Sequence, residues 1–123
     1  MIKKPTNTRL SIELWATAMN STNVLNVIEL YAPNAILIPS MSSQLKKTAG
    51  QIKEYFAEFL ARPGFNVEII EASKQELEDI TVESGIYIFS WLVKGKPHRV
   101  SARFTLVIQS DRIIQHHSSV APQ

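Results

Sequence analysis

The polar side chains that could do chemistry in this chain are concentrated near its end. Arg103 offers a planar guanidinium fork that suits a carboxylate. His116, His117, Ser118 and Ser119 follow within one short run, and a histidine can exchange a proton near neutral pH. Together these side chains could bind a small acid or move a proton. The competing interpretation is a solvated strand end with no site.

The register of the last two strands decides what lies beside Arg103. Ser110 and Asp111 have the composition of a tight turn between these strands. If the loop contains only these two residues, Arg103 lies opposite Ser118. If the loop is one residue longer, Arg103 lies opposite Ser119. A slip of one residue turns every side chain to the other face, and the sequence leaves both registers open.

The same run argues against a metal site. His116 and His117 are neighbours on a strand, so their side chains point to opposite faces and should not bind one ion together. The chain has no cysteine, which excludes thiolate ligands and disulfides. It also has no glycine-rich phosphate loop. We therefore expect neither a metal nor a cofactor.

Aromatic residues elsewhere could complete a binding cavity. Trp15, Tyr31, Tyr87 and Trp91 recur at periodic positions, and a phenol or indole can orient a ligand within an apolar pocket. The alternative is that they are ordinary core residues. The candidate ligand-binding residues are Arg103, His117, His116, Tyr87, Ser119, Trp15 and Tyr31. No carboxylate stands beside a histidine in the sequence as an evident acid–base pair.

Helices and then strands must position these residues. Apolar stripes at helical spacing predict helices over residues 10–19 and 24–31, with Pro33 ending the second, and a short strand follows at 35–38. Thr48 and Gln51 form a capping box that begins a third helix, which continues to Leu60. Strands are predicted over residues 65–77, 80–93, 100–109 and 113–120, with turns between them. Sequential turns favour an antiparallel meander.

The predicted strand over residues 80–93 is apolar on both faces. One face carries Val82, Ile86 and Ile88, and the other carries Tyr87 and Phe89. An antiparallel sheet usually exposes one face to water, so this pattern indicates that both faces are covered. The helices can cover one face only. We therefore expect the other face to pack on a second subunit, although a sheet that curls over itself is the alternative.

Length and composition limit the class of protein. The chain has 123 residues, 45% hydrophobic and 20% charged, which predicts one globular domain over residues 1–123. A net charge of +2, with basic residues spread along the chain, makes a nucleic-acid partner unexpected. No apolar run is long enough for a membrane helix. The N-terminus has two lysines but no apolar stretch behind them, so a signal peptide is not expected. We expect a cytoplasmic protein.

The chain resembles the nuclear transport factor 2-like superfamily. More closely, it is similar to the small bacterial relatives of the association (hub) domain of calcium/calmodulin-dependent protein kinase II. The matching segments are residues 30–39 (LYAPNAILIP), 52–60 (IKEYFAEFL), 85–89 (GIYIF), 102–105 (ARFT) and 116–122 (HHSSVAP). Their order and spacing cover nearly all of the chain from about Trp15 onward.

The resemblance implies an α+β cone, in which N-terminal helices pack in a highly curved antiparallel sheet that leaves a cavity at its open end. It also implies homodimers formed sheet to sheet, which hub domains assemble into rings. Arg103 matches an arginine of the hub pocket, and His117 matches a histidine near its end. Ser118 and Phe89 stand where the hub has further arginines, so this pocket should be less cationic.

Two functions remain open at the level of sequence. The first is a self-associating domain whose conical pocket is open to a small acidic ligand. The second is a cofactor-independent enzyme of the polyketide cyclase, isomerase or dehydratase type, which the resemblance allows. In that case Arg103 would stabilise negative charge and a histidine would transfer the proton. The missing carboxylate partner favours the first.

Overall fold

The computed structural model describes residues 10–122 of the chain. These residues form three helices: α1 (Ile12–Asn20), α2 (Val24–Ile28) and α3 (Ala49–Leu60). The first two precede the first strand, and α3 lies between the first and second strands. Each begins at a side chain that accepts a hydrogen bond from a free backbone N–H of the first turn, namely Ser11, Asn23 and Thr48. At α3 the predicted capping box with Gln51 is confirmed.

Five strands form one curved sheet. They are β1 (Tyr31–Ile38), β2 (Asn66–Glu76), β3 (Ile80–Val93), β4 (Lys96–Gln109) and β5 (Arg112–Val120). Their order across the sheet is β1-β5-β4-β3-β2. The last four strands are an antiparallel meander, and β1 adds to β5 in parallel at the edge. The predicted α+β class and the meander are confirmed.

Two boundaries differ from the predictions. Tyr31 was expected at the end of the second helix but begins β1, because α2 has only five residues and ends at Ile28. Pro33 lies inside β1 instead of stopping a helix. An edge strand tolerates a proline, since the missing N–H need not pair with a neighbour. Strand β4 begins at Lys96, because Lys94 and Gly95 alone form the turn with positive φ angles.

A bulge in β5 sets the register of the last hairpin. Ser110 and Asp111 form a two-residue turn with positive φ angles, and Gln109 pairs with Arg112. The pairing then shifts by one residue after Ile108, where Ile114 is the additional residue of β5. Arg103 consequently lies opposite Ser119. The hairpin therefore has the two-residue loop of one predicted register, but Arg103 pairs with Ser119 as in the other.

The helices pack on the inner, concave face of the sheet. The Trp15 ring of α1 stacks on Tyr87 of β3 with centroids 5.3 Å apart, and Phe59 of α3 meets Phe89 edge-on at 4.9 Å. The buried Glu83 carboxylate accepts a hydrogen bond from the Ile12 backbone N–H at 2.6 Å. This contact fixes the start of α1 against β3. The core is therefore continuous from the helices to the central strands.

A glycine permits the sheet to curve at β2. The register between β2 and β3 shifts near Ile70, and Gly85 of β3 lies beside this bulge. A Cβ on Gly85 would lie 2.7 Å from the carbonyl carbon of Glu71 and 2.9 Å from the Cα of Ala72. Both distances are shorter than the non-bonded contacts that Cβ atoms make in proteins. The close approach of the two backbones therefore requires a residue without a side chain.

Candidate functional site

A continuous set of polar side chains lies inside the cone. They come from α1, β1, the loop after β1, β3 and β5, and they are Trp15, Tyr31, Ser40, Tyr87, His116 and Ser118. Strand alternation explains the contribution of β5, because His116 and Ser118 are two residues apart and share the inner face. The buried parts of these groups need hydrogen-bond partners in the absence of water.

The first half of the network joins α1, β1 and β5. The Trp15 indole Nε1–H donates to the Tyr31 hydroxyl oxygen at 3.0 Å. The Tyr31 hydroxyl lies 2.8 Å from Nδ1 of His116. An indole N–H can only donate, so the single proton of the Tyr31 hydroxyl remains available for the histidine.

The second half runs from His116 towards the loop after β1. Nε2 of His116 lies 3.1 Å from the Tyr87 hydroxyl, and that hydroxyl donates to Oγ of Ser118 at 2.6 Å. Ser118 also bonds the Ser40 hydroxyl in the loop. Among the described residues, no buried side-chain nitrogen or oxygen lacks a hydrogen-bond partner.

These contacts fix the tautomer of His116. The Tyr87 hydroxyl donates its hydrogen bond to Ser118, so its oxygen must accept a hydrogen bond from His116 Nε2–H. The Tyr31 hydroxyl accepts from the indole N–H and donates to Nδ1. Both arguments place the ring proton on Nε2. Neither nitrogen of His116 is left free for a substrate.

Burial keeps the members of the network uncharged. It lowers the pKa of His116 to about 3, together with a smaller contribution from the nearby His117 side chain. Burial also raises the pKa of the Tyr31 and Tyr87 hydroxyls well above the ordinary value, which the hydrogen bonds with Trp15 and Ser118 partly offset. At neutral pH the network is therefore a set of neutral donors and acceptors.

Little free space remains around the network. The cavity beside it has a volume of about 10 Å³, which is near the space one water molecule needs. Apolar and aromatic side chains of β1, α3 and β3 line most of it, together with His116 and Ser118. The aromatic rings of Phe56, Phe59 and Phe89 are among the side chains that surround this small space.

The structure separates the candidate residues into two groups. Trp15, Tyr31, Tyr87 and His116 meet in the interior, whereas Arg103, His117 and Ser119 lie on the outer face of the sheet. The expectation that Arg103 faces the cavity is corrected. Its neighbours Ala102 and Phe104 are buried on the inner face, so alternation along β4 turns the exposed guanidinium outward. Ligand binding by these residues remains a prediction.

Ser118 belongs to the polar run near the end of the sequence, but neither Ser118 nor Ser40 is among the predicted ligand-binding residues. Ser118 could have been found from His116, because residues two apart on a strand share a face. Ser40 lies in the loop after β1, 78 positions away from Ser118, and no periodic pattern connects them. Only the folded arrangement of the parallel β1–β5 pair brings the two hydroxyls together.

A second, open cavity lies beside α3. It has a volume of about 400 Å³ and is lined by Met41, Ser42, Lys46, Glu54, Tyr55, Glu58, Phe59 and Arg62. We call it the α3 groove. The Arg62 guanidinium carbon lies 4.9 Å from the ring centroids of both Phe59 and Trp91. Burial raises the pKa of the Tyr55 hydroxyl in its wall to about 12, so this phenol is neutral.

Two other features are absent from residues 10–122. No group of three or more histidine, aspartate or glutamate side chains there is placed to hold a metal ion. In the same residues no helix has the length and apolar character to cross a membrane.

Comparison with known proteins identifies the family. The profile of the calcium/calmodulin dependent protein kinase II association domain matches residues 9–122. The chain belongs to this family. A crystal structure from Xanthomonas campestris, assigned to such an association domain, is 32% identical with a TM-score of 0.83, and the match covers 91% of this chain and 84% of that one.

More distant relatives of the association domain share the fold alone. A nuclear transport factor 2-like superfamily protein from Salmonella enterica is 14% identical with a TM-score of 0.76 and covers 91% of this chain and 87% of its own. A ketosteroid isomerase-like protein from Erwinia carotovora is 13% identical with a TM-score of 0.73, over 91% and 92%. A comparison with curated proteins gives no significant match. The predicted nuclear transport factor 2-like fold is confirmed.

Proposed function

We propose that this association domain is a single cytoplasmic domain whose function is to bind a second copy of itself through the outer face of its sheet. The observation that carries the proposal is a row of partly exposed aliphatic side chains on that face. They are Val82, Ile86 and Ile88 of β3 and Val107 of β4. All described helices that contact the sheet's core do so from the inner face.

Burying this row would favour association. Complete burial of one isoleucine or valine side chain is worth roughly 1.5–3 kcal/mol relative to full exposure. These side chains are already partly covered by their neighbours in the strand, so each would contribute less than that. Several such contributions are still needed to offset the loss of translational and rotational freedom on binding. Ile86 with Ile88, and Val82 with Val107 beyond Ser84, supply them on one face of the sheet.

Charges on either side of the row favour a symmetric partner. Glu68 and Glu71 of β2 are exposed on the outer face, opposite Ile88 and Ile86. Arg103 lies on the other side of Ile86, also exposed. A two-fold axis parallel to β3 and running along the isoleucines would place the glutamates of one copy over the arginine side of the other. The outer face is thus complementary to itself in charge as well as in apolar character.

The interior gives less support to the two ligand-based alternatives. A small acidic ligand would have no cation among the residues around the interior cavity, because Arg103 is on the outer face. An enzyme would need a group that exchanges a proton with the substrate. Both ring nitrogens of His116 are already bonded to tyrosine hydroxyls, and its low pKa makes it a weak base. We therefore propose that the interior network holds α1 and the loop after β1 against the sheet.

The test is the solution mass of two matched variants. Ile88→Lys places a charge in the aliphatic row, while Leu25→Lys makes the same kind of change at an exposed leucine of α2. By light scattering after size exclusion, the unmodified protein and Leu25→Lys should have at least twice the 13.9 kDa chain mass. Ile88→Lys should shift to 13.9 kDa with unchanged circular dichroism. A monomeric unmodified protein, or an Ile88→Lys variant that still associates, would refute the proposal.

A further inference from the structure

The α3 groove has a balanced set of charges around an aromatic surface. Lys46 and Arg62 contribute two positive charges, and Glu54 and Glu58 contribute two negative charges. The rings of Tyr55 and Phe59 also line the groove. Its volume of about 400 Å³ is within the range of about 300–1,000 Å³ that is usual for small-molecule sites. The groove shares Tyr55 and Phe59 with the wall of the interior cavity, but it is lined by none of the hydrogen-bonded network residues and by none of the outer-face residues of the sheet.

Arg62 is held in place by aromatic rings rather than by an ion pair. Its guanidinium lies over Phe59 and Trp91 at the same distance of 4.9 Å. Within residues 10–122, no carboxylate oxygen lies within 4.0 Å of its nitrogens. The two rings are inclined at 74° to each other, so the planar guanidinium can stack on one of them at most, and its N–H edge has no carboxylate partner among the described residues. That edge is an ordered donor for a planar carboxylate.

Lys46 is positioned by its backbone. Its N–H donates to the Leu37 carbonyl, and its carbonyl accepts from the Leu37 N–H, both at 2.9 Å. This pair of bonds fixes the loop after β1 against β1 and keeps Lys46 at the edge of the groove. The two cations therefore belong to parts of the fold that are held independently, namely the paired loop and the end of α3.

The carboxylates decide the class of ligand. Glu54 and Glu58 are one helical turn apart on α3, so they lie on the same side of the helix. A simple anion would be attracted by Arg62 and Lys46 but repelled by these two glutamates. A simple cation would be attracted by the two glutamates but repelled by Arg62 and Lys46. A molecule that carries both charges can pair each of them with an opposite charge in the groove.

We propose that the α3 groove binds a small zwitterion with a carboxylate, an ammonium group and an apolar body, of the kind represented by a free aromatic α-amino acid. The carboxylate pairs with the Arg62 fork and the ammonium with Glu58 or Glu54. The apolar body lies on Tyr55 and Phe59. This site does not depend on self-association, because the groove uses none of the outer-face residues.

The first experiment compares three ligands of nearly the same shape by heteronuclear NMR titration of the unmodified protein. L-phenylalanine carries both charges, 3-phenylpropanoate only the carboxylate, and 2-phenylethylamine only the ammonium. We expect saturable shifts of groove amides with L-phenylalanine, and binding at least tenfold weaker for the other two. Equal affinity for all three, tighter binding of the propanoate or the amine, or no saturation by L-phenylalanine at 20 mM would overturn the proposal.

The second experiment locates the site with charge-neutralising variants. Arg62→Gln and Glu58→Gln should each weaken L-phenylalanine binding by about tenfold, which corresponds to about 1.4 kcal/mol. Arg112→Gln, at the start of β5 and outside the groove, is the matched control and should leave binding unchanged. Glu58→Gln should also reduce the preference for L-phenylalanine over 3-phenylpropanoate. Unchanged binding in both groove variants would place the ligand elsewhere and refute the inference.

Discussion

The buried His116 predicts a specific loss of stability on acidification. In the folded protein its pKa is lowered to about 3, because burial disfavours the charged ring. In the unfolded chain a histidine has a pKa of about 6.5. Below that pH the unfolded chain binds a proton that the folded interior rejects, so the unfolded state gains stability as the pH falls. The contribution is complete above about pH 6.5 and is lost progressively down to about pH 3.

The size of this effect follows from the separation of the two pKa values. Each pH unit between them costs about 1.4 kcal/mol of folding free energy. Between pH 7.5 and pH 5.0 we expect a loss of about 2 kcal/mol from His116 alone. At pH 5.0 most exposed carboxylates are still ionised, so they contribute little over this interval. The tyrosine partners stay neutral throughout, because burial raises their pKa values.

The assay is urea unfolding at both pH values, at one protein concentration, for the unmodified protein and His116→Gln. The glutamine amide keeps an acceptor towards Tyr31 and a donor towards Tyr87 but does not titrate. His98 and His117 are present in both proteins, so their effects cancel. The unmodified protein should lose about 2 kcal/mol more than the variant.

Two results would refute this reasoning. One is an equal loss of stability, within about 0.5 kcal/mol, in both proteins. The other is measured on the unmodified protein alone, whose His116 ring resonances we expect to show no titration between pH 7.5 and pH 4.5. A midpoint near pH 6.5 for that ring would show that the interior admits the proton.

Two further predictions concern the sheet. Gly85→Ala should destabilise the fold by about 3 kcal/mol in thermal or urea unfolding, because the added Cβ would overlap the Glu71 backbone. The control is Gly50→Ala on α3, where the added Cβ meets no atom within 4 Å. This change should be neutral or slightly stabilising. Equal effects of the two changes would contradict the close approach. Glu71→Arg and Arg103→Glu should each weaken self-association in sedimentation velocity, and the double variant should restore it. If the double variant did not recover self-association, the proposed pairing of Glu71 with Arg103 of the second copy would be refuted.

Local chemistry made much of the fold predictable. The capping box of Thr48 and Gln51 marks the start of α3, because these side chains satisfy backbone N–H groups near them in sequence. The meander was predictable because each turn joins neighbouring strands. Its two tight hairpins place Lys94 and Gly95, and Ser110 and Asp111, at positive φ. The family resemblance extended this to the cone, which the structure and the comparisons confirm.

The face of the sheet on which each site residue lies was harder to predict, because it depends on the strand register. The sequence left two registers open for the last hairpin, and the bulge at Ile114 combines the loop of one with the pairing of the other. Arg103 was assigned to the cavity through the resemblance, although its own strand alternates so that Ala102 and Phe104 are inside. The alternation alone could have placed it outside. Nothing local indicates that Ser40 reaches Ser118, since that contact forms only in the folded chain.

The most direct test of the central proposal uses the absence of cysteine from the chain. A single thiol introduced as Ile88→Cys lies in the aliphatic row, close to the proposed two-fold axis, and Leu25→Cys provides the matched control on α2. After mild oxidation of dilute protein, non-reducing electrophoresis should show a covalent dimer for Ile88→Cys and monomer for Leu25→Cys. Equal cross-linking of the two variants, or none at Ile88→Cys, would contradict self-association through the outer face.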